Sequence, residues 1–333
     1  MPVYDNSGYI DNWITSRIVP GIDSNICEWV PNTAVVDLDS LELNPESFRC
    51  YRINAAQRCA ESMGTKPVLA LSGGIDSQAM LQSFVEAGID VSVATMVFED
   101  NLNGHDVEFA ERAAQRYNLD LVKINFNAFK FLQHELWTYA ERYQCNSPQF
   151  ACHNWFFEQL ISRGYTGIAA GGHVWTPMNT GWWWGNNPST QQNWYRFSVK
   201  NSFPVHGNFL ASTWQLNTSL ACCYDTEEEP TVVQNDPNRG QLAVDAVRYR
   251  YLLKVAAFKR FGFDVEPQQN KFTGFERIKE RLIKSSGDWW IFERRFRHPL
   301  EQHWPSADPQ LILESEFKAK LNQLYFQYSR SNC

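Results

Sequence analysis

The run Ser72-Gly73-Gly74-Ile75-Asp76-Ser77 limits what this chain can fold into more than any other stretch. It follows a short apolar segment, Val68 to Leu71, and precedes a helix-like segment, Gln78 to Ala87. Two adjacent glycines after a buried strand let the backbone turn tightly and approach a ligand with no Cβ in the way. A helix that begins just after them presents unpaired N–H groups and a positive dipole end, which together make an anion site. Ser72 and Ser77 add hydroxyl donors, and Asp76 adds a carboxylate able to hold a magnesium ion that bridges phosphate oxygens. The local chemistry is that of a cradle for pyrophosphate. The same residue types also build a plain turn and helix cap, and the pattern alone leaves both readings open.

The surroundings alternate strand and helix. The spacing predicts a short strand at Ala34–Leu38, an amphipathic helix from Pro45 to Met63 capped by Asn44, and strands at Val68–Leu71, Val91–Phe98, Leu121–Phe126 and Thr166–Ala170. Helices are expected at 76–87, 106–117, 128–143 and 154–162. Such alternation predicts a doubly wound, mostly parallel α/β sheet with right-handed crossovers. Ligands of such sheets sit beyond the carboxyl ends of the strands. That rule gathers the Ser72–Ser77 loop, Glu99-Asp100-Asn101 and Gly171-Gly172-His173 in one place.

Past residue 173 the composition changes. Trp175, Trp182, Trp183, Trp184, Trp194 and Trp214 stand among Asn, Thr, Gly and Pro, which predicts a loop-rich insertion or lid. Its aromatics serve either a core beneath a long loop or a stacking pocket for a ring. Helix returns at 242–261, 275–285 and 309–328. The expected division is an N-terminal strand and helix segment (1–65), an α/β core that carries the glycine loop (66–175), and a lid or insertion with a helical substrate region (176–333).

The six-residue string resembles the Ser-Gly-Gly-x-Asp-Ser signature of the PP-loop ATP pyrophosphatases, which include asparagine, NAD and GMP synthetases and several tRNA-modifying enzymes. Residues 45–175 resemble the synthetase domain of asparagine synthetase and β-lactam synthetase. The resemblance implies an adenine nucleotide α-hydrolase-like (HUP-type) fold and Mg2+-dependent cleavage of ATP to AMP and pyrophosphate. It assigns Leu71, Ser72, Gly73, Gly74, Asp76 and Ser77 to pyrophosphate and Asp76 to the metal. Backbone at Met96 and Phe98 takes adenine, and Gly171 and Gly172 line the neighbouring turn. His173 stands near the α-phosphate or substrate, and Lys271 stabilises the transition state. An enzyme of this kind activates a substrate oxygen for attack by an amine or ammonia.

Two departures sharpen the expectation. Pro2 stands where a glutaminase domain has its catalytic Cys, so the amine or ammonia comes from a separate donor. Gly171-Gly172-His173-Val174 replaces the family's Gly-rich turn and Asp-Glu pair, and is closer to the Gly-His turn of tRNA-thiolating relatives. The alternatives are therefore a nucleobase- or tRNA-modifying enzyme, with Cys145 or Cys152 as a sulfur carrier, and a non-catalytic adenine nucleotide-binding subunit.

The net charge of -7 and pI near 5.6 argue against broad duplex-DNA binding, although Arg248, Arg250, Lys254, Lys259 and Arg260 cluster locally. Eight cysteines at irregular spacing in a chain of 333 residues point to reduced thiols. No apolar run reaches the ~20 residues of a membrane span, and the first residues lack a signal-peptide pattern. The expectation is a cytoplasmic enzyme acting on a small-molecule or nucleobase substrate, with a homo-oligomer compatible with the sequence.

Overall fold

The computed structural model describes residues 16–20, 27–31, 38–143, 145, 148–172, 175–178, 181–184, 188–224, 251–268 and 274–286. β1 (Ser16–Pro20) and β2 (Cys27–Pro31) form an antiparallel hairpin. Helix α1 (Pro45–Met63) starts where the sequence predicts. Asn44 Oδ1 accepts from the Ser47 N–H at 2.9 Å, and Pro45 fills the first helical position, where no N–H is needed.

There follow β3 (Pro67–Ala70), α2 (Ile75–Glu86), β4 (Ser92–Phe98), α3 (Gly104–Arg116) and β5 (Leu121–Phe126). Next come α4 (Ala128–His134), α5 (Leu136–Tyr143), α6 (Pro148–Ser162) and β6 (Gly167–Ala170). β7 (Trp175–Met178) pairs antiparallel with β8 (Gly181–Trp184). The chain continues through α7 (Pro188–Asn201), β9 (Val205–His206) and α8 (Trp214–Cys222), then α9 (helical residues 251–260) and α10 (Gly274–Ser286).

Five strands form one parallel sheet in the order β5-β4-β3-β6-β9. The chain winds outward from β3 to β5, returns to β6 beside β3, and winds the other way. The switch point therefore lies between the carboxyl ends of β3 and β6, where open α/β sheets bind ligands. Fold class and parallel winding are as expected from the sequence.

Each face of the sheet carries its own core. One contains Phe48, Met80, Phe84, Phe258 and Phe261 from α1, α2, α9 and its end, with Phe48 and Phe261 stacked at 4.7 Å. The other contains Phe126, Phe131, Tyr143, Phe157 and Phe197, from β5 and α4 to α7. Each fully buried Phe contributes roughly 1.5–3 kcal/mol of transfer free energy, so helices on both faces are held chiefly by their apolar sides.

Some expectations need correction. The single helix predicted over 128–143 is broken at Glu135 (φ -117°), which lets Phe131, Leu132, Leu136 and Tyr139 all enter one core. Helix α6 begins at Pro148 rather than Asn154, since proline's fixed φ suits a first turn. Within the expected lid or insertion and helical region, two elements belong to the main body. β9 extends the parallel sheet, and Leu216 and Leu220 of α8 are fully buried in the same core as α1. A two-residue strand is too short to show an alternating pattern, so the sequence hides it. Within the predicted strand 34–38, Leu38 opens a 3-10 turn and residues 34–37 lie outside the described residues, as do 242–250 and 309–328. Among the described residues no helix is long and apolar enough to cross a membrane.

Candidate active site

At the end of β3 the Leu71 N–H still donates to the Ala94 carbonyl at 2.8 Å, and the chain then turns. Gly73 adopts φ +82°, and a Cβ there would stand 2.1 Å from the Asp106 carbonyl oxygen of α3. Gly74 is the N-cap of α2 and offers no side chain of its own to the first-turn N–H groups. Across the switch point, a Cβ on Gly171 would come within 2.7 Å of the Asp76 backbone carbon. The loop, α3 and the end of β6 therefore touch backbone to backbone, and only glycine permits it.

Side chains then hold the turn open. Ser77 Oγ donates to the Gly74 carbonyl at 2.8 Å, and Ser72 Oγ donates to Ser77 Oγ at 3.3 Å. Gln78 Nε2 donates to the carbonyls of Gly73 (2.9 Å) and Glu266 (3.0 Å), while its oxygen accepts from the Glu266 N–H. The first-turn N–H groups of α2 have no intrahelical acceptors, so the loop keeps its anion-binding capacity.

Asp76 meets a cation that the sequence reading did not single out. Lys254 Nζ of α9 stands 2.7 Å from both carboxylate oxygens and is hydrogen-bonded to Oδ2. Buried Oδ1 has no aligned hydrogen bond, so a lone pair remains for a cation. Among the described residues no three His, Cys, Asp or Glu side chains gather as a ready metal cage. Asp76 would supply one carboxylate to a magnesium ion, a cation that one or two carboxylates suffice to hold when a phosphate substrate is bound. Beside the loop, burial raises the Asp106 carboxyl above the usual carboxylate range, and Gln268 Nε2 donates to it at 2.9 Å.

On the β4 side, Asn103 bridges the strand end. Its Nδ2 donates to the Met96 carbonyl (2.7 Å), and its oxygen accepts from the Phe98 N–H (2.8 Å). A Cβ on Gly274 would press on Asn103 and the Phe98 ring, so α10 closes tightly over this end. The opposite wall is aromatic. Phe150, Phe156 and Phe157 of α6 and Trp194 of α7 face a cleft of about 530 Å³, a volume ample for a small-molecule ligand. His153 shares that wall edge-on to Phe275 at 5.8 Å. Its apolar setting lowers its pKa to about 4, so the ring is neutral at pH 7.

The structure gathers most of the predicted site residues. Leu71, Ser72, Gly74, Asp76, Ser77, Met96, Phe98, Gly171 and Gly172 border this one cleft, and Gly73 backs onto α3 behind it. His173 and Lys271 lie outside the described residues. Trp194 belongs to the aromatic segment that the sequence offered as core or stacking pocket. Lys254, Gln78 and Gln268 were missed because their partners lie 178, 188 and 162 positions away. Asn103 was missed because its bonds to Met96 and Phe98 depend on the turn after β4. The basic run around Lys254 was the one available signal. Cys145 and Cys152 are buried. Desolvation pushes the Cys145 thiol up to about 12 and the Cys152 thiol well above its ordinary value, a poor state for a sulfur-carrying thiolate.

No family model matches the chain, and no curated protein matches it in sequence. Among solved structures it is similar to NMN synthetase from Francisella tularensis, with 15% identity over 40% of this chain and 56% of that one and a TM-score of 0.31. It is also similar to glutamine-dependent NAD+ synthetase from Acinetobacter baumannii in complex with adenosine diphosphate. There the identity is 13% over 94% of this chain and 49% of that one, with a TM-score of 0.33. The chain spans about half the length of these two structures.

Proposed function

We propose that the protein is an ATP-dependent ligase that splits ATP into AMP and pyrophosphate to activate a substrate oxygen, in the manner of asparagine synthetase. One observation supports this most strongly: a backbone cradle at the β3/β6 switch point, with an Asp76–Lys254 pair at the N-terminus of α2. Backbone N–H groups of the loop and the Ser72 and Ser77 hydroxyls bind the β- and γ-phosphates. The Met96–Phe98 strand end, shaped by Asn103, receives adenine. Lys254 moves its charge from Asp76 to the phosphates as pyrophosphate leaves, which stabilises the negative charge that develops there.

Asp76 would hold magnesium, whose contribution when bound is to neutralise phosphate charge. The activated oxygen is then displaced with AMP by an amine or ammonia. Incubation with ATP labelled at the α- and γ-phosphates tests the reading. AMP and pyrophosphate are the expected products, and ADP with inorganic phosphate would exclude it. A nucleobase acceptor is a second reading supported by the aromatic wall. Its thiol-dependent form is disfavoured by the buried, high-pKa Cys145 and Cys152.

A further inference from the structure

Gly73 and Gly74 permit the turn after β3, and they also permit more than one way of making it. The peptide between them is flanked by residues without a Cβ, so it can rotate at little steric cost. Its orientation matters for an anion. In a trans peptide the C=O and the N–H point to opposite sides, and the described residues contain no cis bond. Whatever holds the Gly73 carbonyl therefore also aims the Gly74 N–H.

Gln78 holds that carbonyl. The residue is 3% exposed, and its amide is fully engaged. Nε2 gives one hydrogen to the Gly73 carbonyl at 2.9 Å and the other to the Glu266 carbonyl at 3.0 Å. Its oxygen accepts from the Glu266 N–H at 2.8 Å. Two carbonyls against Nε2 and an N–H against the oxygen leave a single orientation for the amide. Gly74 borders the cleft, whereas Gln78 and Glu266 do not. With the carbonyl tied back to Gln78, the Gly74 N–H is turned the other way, toward the cleft. Among the described residues no carbonyl takes that N–H.

Gln82 supplies an internal contrast. It stands one turn further along the same face of α2 and grips the same stretch of chain after α9. Its oxygen accepts from the Asp264 N–H at 2.8 Å, and its Nε2 donates to the Gly262 carbonyl at 3.3 Å. Both glutamines thus fasten that stretch to α2, but of the two only Gln78 also reaches the loop. Anchoring accounts for Gln82 and leaves the bond from Gln78 to Gly73 without a purpose.

We infer that Gln78 is a positioning residue whose amide locks the Gly73–Gly74 peptide with its N–H toward the cleft, and so sets the loop's affinity for pyrophosphate. This rests on the ATP-splitting reading above. The glycines supply freedom to turn, and Gln78 selects the orientation that leaves a donor for a phosphate oxygen. A flipped peptide would present its carbonyl oxygen to the anion and repel it.

The test is calorimetric titration of the full chain, in magnesium, with pyrophosphate, ATP and AMP. Gln78→Met keeps the length of the side chain and loses the bonds to Gly73 and Glu266. A hydrogen bond to a charged group is worth about tenfold to a hundredfold in affinity. Gln78→Met should therefore weaken pyrophosphate and ATP by that factor. AMP, which has no β- or γ-phosphate, should stay within about twofold. Gln82→Met is the control: it should lower the urea midpoint as Gln78→Met does, with all three affinities within about twofold.

Gln78→Glu replaces the methionine variant if that one does not fold. A carboxyl at this place donates only while protonated, and burial between two carbonyls raises its pKa. Its pyrophosphate affinity, relative to the unsubstituted protein at the same pH, should fall as pH rises from about 5 to about 8. Pyrophosphate affinity unmoved in the folded variants would overturn the inference. So would a loss shared equally by AMP, or one matched by Gln82→Met. If the unsubstituted chain binds neither pyrophosphate nor ATP, the reading beneath fails instead.

Discussion

At the loop end of the cleft, Gly73 and Gly171 bring three stretches of backbone into contact, with Asp76 paired to Lys254 beside them. The α6–α7 wall faces the same space with Phe156, Phe157 and Trp194, whose rings merge into the core behind them. The loop end thus spends its residues on close approach and charge, and little of it is core. The wall spends its residues on buried area. Changes to the charged side chains at the loop should therefore reduce turnover with little loss of stability, and changes at the wall should do the reverse.

The largest effect belongs to the wall. Phe157 is buried and packs edge-on to Phe197 at 5.4 Å. Phe157→Ala should cost about 3–5 kcal/mol of unfolding free energy by denaturant titration. A cost below 1 kcal/mol would show the wall is not core. Lys254→Met should lower pyrophosphate release by about 10²–10³, the scale of removing one transition-state charge contact, with the urea midpoint little changed. An equal fall in stability would break the comparison from the other side.

Gly73→Ala should reduce turnover by at least about a hundredfold, since a displaced loop misplaces the phosphates. Gly88 has a similar positive φ of +69° but nothing within 4 Å of its absent Cβ. Gly88→Ala should show strain alone, about 1–2 kcal/mol of stability, with normal turnover.

A smaller effect concerns pH. Burial lowers the pKa of His206 on β9 to about 4 from the ordinary 6.5. Above pH 6.5 the ring is neutral in folded and unfolded chains alike. Between 6.5 and 4 the unfolded chain takes up a proton that the folded chain refuses, so stability falls as pH falls, by about 1.4 kcal/mol per pH unit. His206→Gln should remove one proton's worth of that slope in urea titrations at pH 6 and 5. The smallest effect is expected of Cys145→Ser, with turnover per folded molecule within about twofold. A thousandfold loss would restore the thiol-dependent alternative.

The loop was legible because its chemistry is contiguous. Strand, two glycines, acid, hydroxyl and helix follow one another from 68 to 87, and local φ and capping rules read them directly. The core helices and longer strands were legible for the same reason, through their periods. β9 was too short to carry a period, and the break at Glu135 answers to a core assembled from several helices. Lys254 looked like one more basic residue in a charged run. Its partner lies 178 positions away, a pairing no window of sequence contains.

By itself the sequence determined a parallel α/β sheet with a glycine turn and a helix N-terminus after one of its strands, since backbone turns and helix termini follow from neighbouring residues. Only the tertiary structure decided which cation stands over Asp76 and that Asn103 shapes the β4 end. It also decided that Trp194 lies flat over Gly207 beside unpartnered amide atoms. The physical reason is that close approach, desolvation and unmet hydrogen bonds belong to surfaces brought together by folding, and they exist nowhere along the chain.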